Sequence, residues 1–250
     1  MKKEIELNSY ALKVRKWFNE DAYSPIDIFA HVNAWKEMKI TIIYYPLSSR
    51  ISGMCTKTED YILIGINSET SLGRQRFSLA HELYHVLFEE GLKNVVCDMK
   101  LKGEKNDSEK EADMFASYLL MPYDALRQYQ DGVREWTIEE IIRAEQFFQI
   151  SHTAMLLRLC TENYISYGDY DKFSNIGITR EAMKLGYEPD LYMKSPNNKK
   201  YFTTGEYIRI VEEIAQKELV SNGKRAELLL DAYRSDIVYG ISDEGVDLNE

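Results

Sequence analysis

Two histidines four residues apart constrain this chain more than any other feature: His81 and His85 of His81-Glu82-Leu83-Tyr84-His85. Side chains at i and i+4 of a helix leave from one face, so the two rings can grip a single ion only if the segment is helical. The intervening Glu82 points towards the same mouth without joining the ligands and can take a proton from water that the ion activates. Residues 72–89 read as that helix. Phe77, Ala80, Leu83, Val86 and Leu87 cover its other faces, and Gly91 suits its end. The chain is expected to bury this helix beneath a cleft.

A catalytic zinc takes three protein ligands and keeps a fourth position open. The metzincin continuation needs Gly at 88 and His at 91; Phe88 and Gly91 stand there, which excludes it. The third ligand is then expected from an acid on a later helix, as in thermolysin-like sites. Residues 108–120 form such a helix, halted by Met121-Pro122. Glu109 and Asp113 share a face with Ala112 and Ala116, small residues that allow close packing. That suits Glu109 as a ligand and Asp113 as the acceptor of a ligating histidine's outer N–H. Glu111 is the rival. It lies about 200° around the helix from Glu109, and Ser108-x-x-Glu111 is a capping box that explains it without metal.

The rest of the chain supplies a scaffold. Segments 40–45 and 61–66 read as strands, with room for a third in Arg50-Ile51-Ser52-Gly53-Met54-Cys55. No helix separates them, so two antiparallel strands and a bend are expected, not a doubly wound parallel sheet. The segment from Tyr61 to Asn67 is either a sheet edge open to an extended substrate or a central strand. Helices are expected at 10–18, at 25–38 behind a Ser24 cap, at 137–148, at 152–160, and near 205–218 and 223–234. Residues 92–107 read as a surface loop, and composition shifts past Tyr164. Three regions follow: 1–135 around the histidine helix, 136–165 as a helix-turn-helix-like pair, and 166–250 as a mainly helical extension.

Charge and cysteine usage narrow the function. Thirty-one basic against 41 acidic residues give a net charge of -10, which argues against a protein held by nucleic-acid phosphates or anionic lipid. The pair at 137–160 carries one cation on its second helix, Arg158, too few for reading DNA. Cys55, Cys97 and Cys160 stand far apart with no CxxC pair, and neither a leader nor a membrane-length apolar run is evident. A cytoplasmic, reduced setting is expected. The spare histidines, His31 and His152, read as packing or surface groups. Oligomeric state is not legible.

The stretch Arg76-Phe77-Ser78-Leu79-Ala80-His81-Glu82-Leu83-x-His85, followed by Glu109-x-x-Ala112-Asp113-x-Phe115-Ala116-x-x-Leu119-Leu120-Met121-Pro122, resembles the ImmA/IrrE metallopeptidases. Ser52-Gly53, Ile64-Gly65-Ile66-Asn67 and Ser151-x-x-Ala154-x-x-x-Arg158-Leu159 extend the resemblance over roughly residues 10–165. It implies an α+β, zincin-like fold with a small antiparallel or mixed sheet packed on helices. It also implies zinc, with manganese an acceptable substitute, held by His81, His85 and Glu109, and Glu82 as base. The implied function is an endopeptidase that cuts a helix-turn-helix repressor and releases mobile-element, phage or stress genes. The alternative is a zincin scaffold that sequesters or remodels a transcription factor without cutting it. Tyr84 departs from the family, which more often has a small residue there; its bulk would narrow the cleft or its hydroxyl assist the chemistry.

Overall fold

The computed structural model describes residues 2–89, 94–98 and 107–240, with 94–98 by its backbone alone. It is α+β, a mixed five-stranded sheet with helices on both faces. The strands are β1 (Ile40–Tyr45), β2 (Ile51–Lys57), β3 (Ile62–Asn67), β4 (Asn94–Asp98) and β5 (Phe202–Gly205), in the order β4-β2-β3-β1-β5.

β1 and β3 run parallel, Ile42 opposite Ile64, which corrects the antiparallel expectation. The physical reason is β2. It carries the chain back across the sheet, so β3 can lie beside β1 in the same direction without a helical crossover, while β2 pairs antiparallel to β3. β3 is thereby a central strand, and the reading of it as an open edge falls. β4 occupies part of the segment read as a surface loop, and residues 99–106 lie outside those described.

Ile40, Ile42, Ile62, Ile64 and Ile66 alternate along β1 and β3 and are buried, the period of two that marks a covered sheet face. Against the sheet packs α3 (Leu72–Phe88), capped by Ser71, whose hydroxyl accepts from the Arg74 N–H at 3.3 Å. Its last turn closes on an extended Glu89. The end placed at Gly91 falls on a residue outside those described. α4 (Asp107–Leu120) lies along α3 and against α1 (Glu4–Trp17), which is longer than the 10–18 expected. Arg15 of α1 is fully buried and donates to the carbonyls of Leu119 (2.6 Å), Asp21 (2.6 Å) and Ser24. A cation at the carboxyl end of α4 satisfies carbonyls that the helix leaves over.

α2 (Ile28–Ala34) is shorter than expected and its cap is Asp27, not Ser24. Asp21 has already taken the Ser24 N–H and hydroxyl, at 2.6 and 2.8 Å, in a turn of its own. α5 (Tyr123–Gln130) leads to α6 (Ile138–Phe148) and α7 (His152–Thr161), capped by Thr137 and Ser151. The Arg158 guanidinium is buried and bonded to Glu162, Ser117 and the Met121 carbonyl, so α7 presents no arginine outward.

Beyond these come α8 (Tyr167–Ser174), α9 (Ile178–Lys184), α10 (Glu206–Gln216), α11 (Asn222–Asp231) and α12 (Ser235–Tyr239), so the extension is mainly helical. Among its described residues the extension has one strand, β5, which pairs antiparallel with β1. Gly205 makes this turn from strand into α10 at φ +91, where a Cβ would overlap the Ile40 carbonyl oxygen. Among the described residues no helix is long and apolar enough to cross a membrane.

Candidate metal centre

α3 and α4 meet at the two histidines. His81 and His85 are 5% and 1% exposed, with ring centroids 5.0 Å apart and Nε2 atoms 3.2 Å apart. Glu109 enters from the first turn of α4. Its Oε2 stands 3.4 Å from His81 Nε2 and its Oε1 3.4 Å from His85 Nε2. Ligand atoms of all three residues lie within 4.8 Å of one another, a group fit to hold a metal ion. Tetrahedral zinc with bonds near 2.0–2.2 Å would separate its ligand atoms by about 3.4 Å, so the spacing matches.

The outer ring nitrogens are also engaged. His81 Nδ1 is 2.9 Å from Asp113 Oδ1 and His85 Nδ1 is 2.9 Å from Glu89 Oε2. An Nδ1–H held by a carboxylate leaves the Nε2 lone pair to face the ion. Sequence reasoning named Asp113 and missed Glu89. The signal was present: Glu89 is four residues past His85, the same helical neighbour rule that joins the two histidines.

Without an ion these five groups hold protons among themselves. Burial alone would lower the His81 pKa, but the hydrogen bonds of Asp113 and Glu109 outweigh it and raise it to about 9. His85 is raised as well, against its own burial, by Glu109 and Glu89. Burial opposes ionisation of Glu109, yet its bonds to both histidines hold its carboxyl far below the ordinary range. An ion entering the site takes the place of those protons.

Glu82 is fully buried on the same helical turn. Its carboxylate sits against β2 at Gly53, where a Cβ would stand 2.6 Å from Oε1 and 3.2 Å from the Gly65 carbonyl oxygen. A methyl at this position would force the carboxylate to shift. Cys55, two residues along β2, is buried, and burial with the Glu82 charge beside it pushes its thiol pKa up, so it stays protonated.

Glu111 has another task. Its Oε2 accepts from the Tyr84 hydroxyl at 2.5 Å and from Lys2 Nζ at 2.8 Å, and its Oε1 takes the Lys2 backbone N–H. The capping-box account of Glu111 therefore fails. α4 begins at Asp107, two residues earlier than a Ser108 cap needs, and the carboxylate reaches Tyr84 of α3 and Lys2 instead. Tyr84 is 1% exposed, packed between Phe88, Phe115 and the His85 ring. Neither effect considered for it operates: its ring is in the core and its hydroxyl is spent on Glu111 and Lys2. The remaining histidines pack elsewhere. His31 bonds Glu20 at 2.7 Å and stacks on Phe18, and His152 bonds Glu145 at 2.6 Å.

No curated protein matches the chain. The family model of the IrrE N-terminal-like domain, Peptidase M78, matches residues 36–160, half of the chain, and spans β1 to α7 with the whole candidate ligand group. The chain belongs to this ImmA/IrrE family of metallopeptidases.

Proposed function

We propose that the chain is a cytoplasmic, zinc-dependent endopeptidase that cuts a helix-turn-helix transcriptional repressor and so releases mobile-element, phage or stress genes. The observation that carries the hydrolytic reading is the convergence of His81, His85 and Glu109 within 4.8 Å, with Glu82 buried one residue from His81. Two histidines and a carboxylate accept zinc, and manganese as well.

Bound at these residues, zinc supplies Lewis acidity for the scissile carbonyl and makes water a better nucleophile. Asp113 and Glu89 fix the histidine rings, each with its Nε2 towards Glu109. Glu82 takes the proton of the attacking water and passes it to the departing amine, general base and then general acid. Its protein-enclosed position, against Gly53, keeps bulk solvent from competing for that proton. β4, at one edge of the sheet and paired with β2, offers main-chain hydrogen bonds to an extended substrate segment.

A repressor substrate is supported by the family resemblance and by charge. A chain at net -10 attracts a basic DNA-binding partner, which speeds encounter at low salt. The test mixes the metal-loaded protein with the repressor encoded beside its gene and reads intact masses over time. A single cut by the wild type, absent with Glu82→Gln, is the expected result. Binding by both without any cut would favour the sequestering module. No binding by either would overturn the partner.

A further inference from the structure

The outer face of the sheet, away from α3, carries a cavity. Along β1 and β3 the residues that alternate with the buried isoleucines are Thr41, Ile43 and Leu63. α10 and α11 of the extension approach this face and leave a cavity of about 450 Å³ between helix and strand. This is the size of a pocket for a drug-sized molecule, at the lower part of the usual range.

The wall chemistry selects the ligand. Ile43 and Leu63 form an aliphatic floor, and Tyr61, Tyr207 and Tyr233 stand around it. Two carboxylates line the cavity, Glu206 and Asp231, while no lysine or arginine does. Of the neighbouring arginines, Arg209 pairs with Glu206 at 2.8 Å and donates to the Asn33 carbonyl at 2.7 Å, so it compensates that carboxylate, while Arg234 binds Asp236 at 2.8 Å and lies over the Phe202 ring. The carboxylate left to attract a cation is Asp231. Tyrosine faces and carboxylates both attract cations and both repel anions.

The mouth is also unusually apolar for a surface. Tyr61 is 52% exposed, Ile210 47% and Tyr233 42%. Large apolar side chains clustered in water around a concavity mark a binding site more often than a bare surface.

We propose that this cavity binds a small aromatic cation, a flat apolar body of one or two rings bearing an amine. The rings lie on Ile43 and Leu63 among the tyrosines, and the amine faces Asp231. The floor strands carry Ile42 and Ile64 on their other face, in the same core as α3, so an occupant presses on the sheet behind the metal helix. The site is separate from the cleft at His81 and does not depend on what that cleft does.

Calorimetric titration of the full chain with 2-naphthylmethylamine and, separately, 2-naphthoate tests this. The amine is expected to bind at one site per chain, about tenfold more tightly than the acid. Ile210→Trp, at a half-exposed position, fills the mouth and should abolish amine binding with the thermal midpoint retained. Asp231→Asn, at an exposed position, should bring the amine and a neutral naphthalene methanol to within about twofold of each other. The proposal is overturned if the acid binds as well as the amine, or if both variants bind like wild type. It is also overturned if sedimentation shows a dimer that Ile210→Glu dissociates, since the cavity would then seat a second copy.

Discussion

The Tyr84 hydroxyl donates a 2.5 Å hydrogen bond to Glu111, joining the two helices that carry the candidate ligands through residues outside that group. Tyr84 adjoins His85, and Glu111 lies between Glu109 and Asp113 on α4. Bonding to Lys2 and Tyr84 outweighs burial and keeps the Glu111 carboxyl at about 2, so the acceptor is ionised and the bond charge-assisted. Tyr84→Phe should cost about 1–3 kcal/mol of unfolding free energy. In a double-mutant cycle with Glu111→Gln, urea denaturation should show clear coupling. Additivity within about 0.5 kcal/mol would contradict the linkage.

Asp113 and Glu89 each hold one histidine by its outer nitrogen, so their removal should act on the ion and not on the fold. Asp113→Ala and Glu89→Gln are each expected to weaken zinc binding by about 10–100-fold. Competition against a chromophoric chelator measures it. Unchanged affinity in both variants would mean that the ion is held elsewhere.

Gly53→Ala tests the seat of Glu82. The added methyl stands 2.6 Å from Oε1, closer than real contacts allow, so the carboxylate must turn away. Cleavage should fall by at least about tenfold, with zinc content unchanged because no ligand is touched. Full activity with full zinc would remove Glu82 from the role of base.

His152 gives the pH dependence. Its Nδ1 is 2.6 Å from Glu145 and its Nε2 3.1 Å from the Phe173 carbonyl, so both ring nitrogens face acceptors. Burial pulls its pKa down, but the bond to Glu145 prevails and raises it above 6.5. Its contribution to stability is therefore fully present below 6.5 and is lost as pH rises through the higher native value. His152→Gln should lower the urea midpoint more at about pH 6 than at about pH 9. Equal losses would show that the ring is neutral throughout.

What was legible in the chain was what depends on near neighbours. His81, Glu82 and His85 need only a helix, and Glu109 and Asp113 only the next one, so spacing sufficed to nominate them. Strand pairing is a different matter. Ile42 meets Ile64 in parallel because of where β2 runs, and nothing within either segment encodes that. β5 is four residues long and owes its strand character to pairing with β1, so Phe202–Gly205 carries no periodic signal of its own. Asp27 displaced Ser24 as the α2 cap for a similar reason, since Asp21 competes for the same serine. Glu111 looked like a cap from its own helix alone; its true partners lie 27 and 109 residues away.

The proposed function turns on Glu82 acting as the base beside a metal held by His81, His85 and Glu109. The most direct test compares wild type and Glu82→Gln at matched zinc occupancy, measured by elemental mass spectrometry, against the same repressor. Intact-mass time courses then report cleavage alone. One zinc per chain in both proteins, with a single cut by wild type and a rate at least about a hundredfold lower in the variant, is the predicted result. Equal cutting by the two zinc-loaded proteins would contradict it.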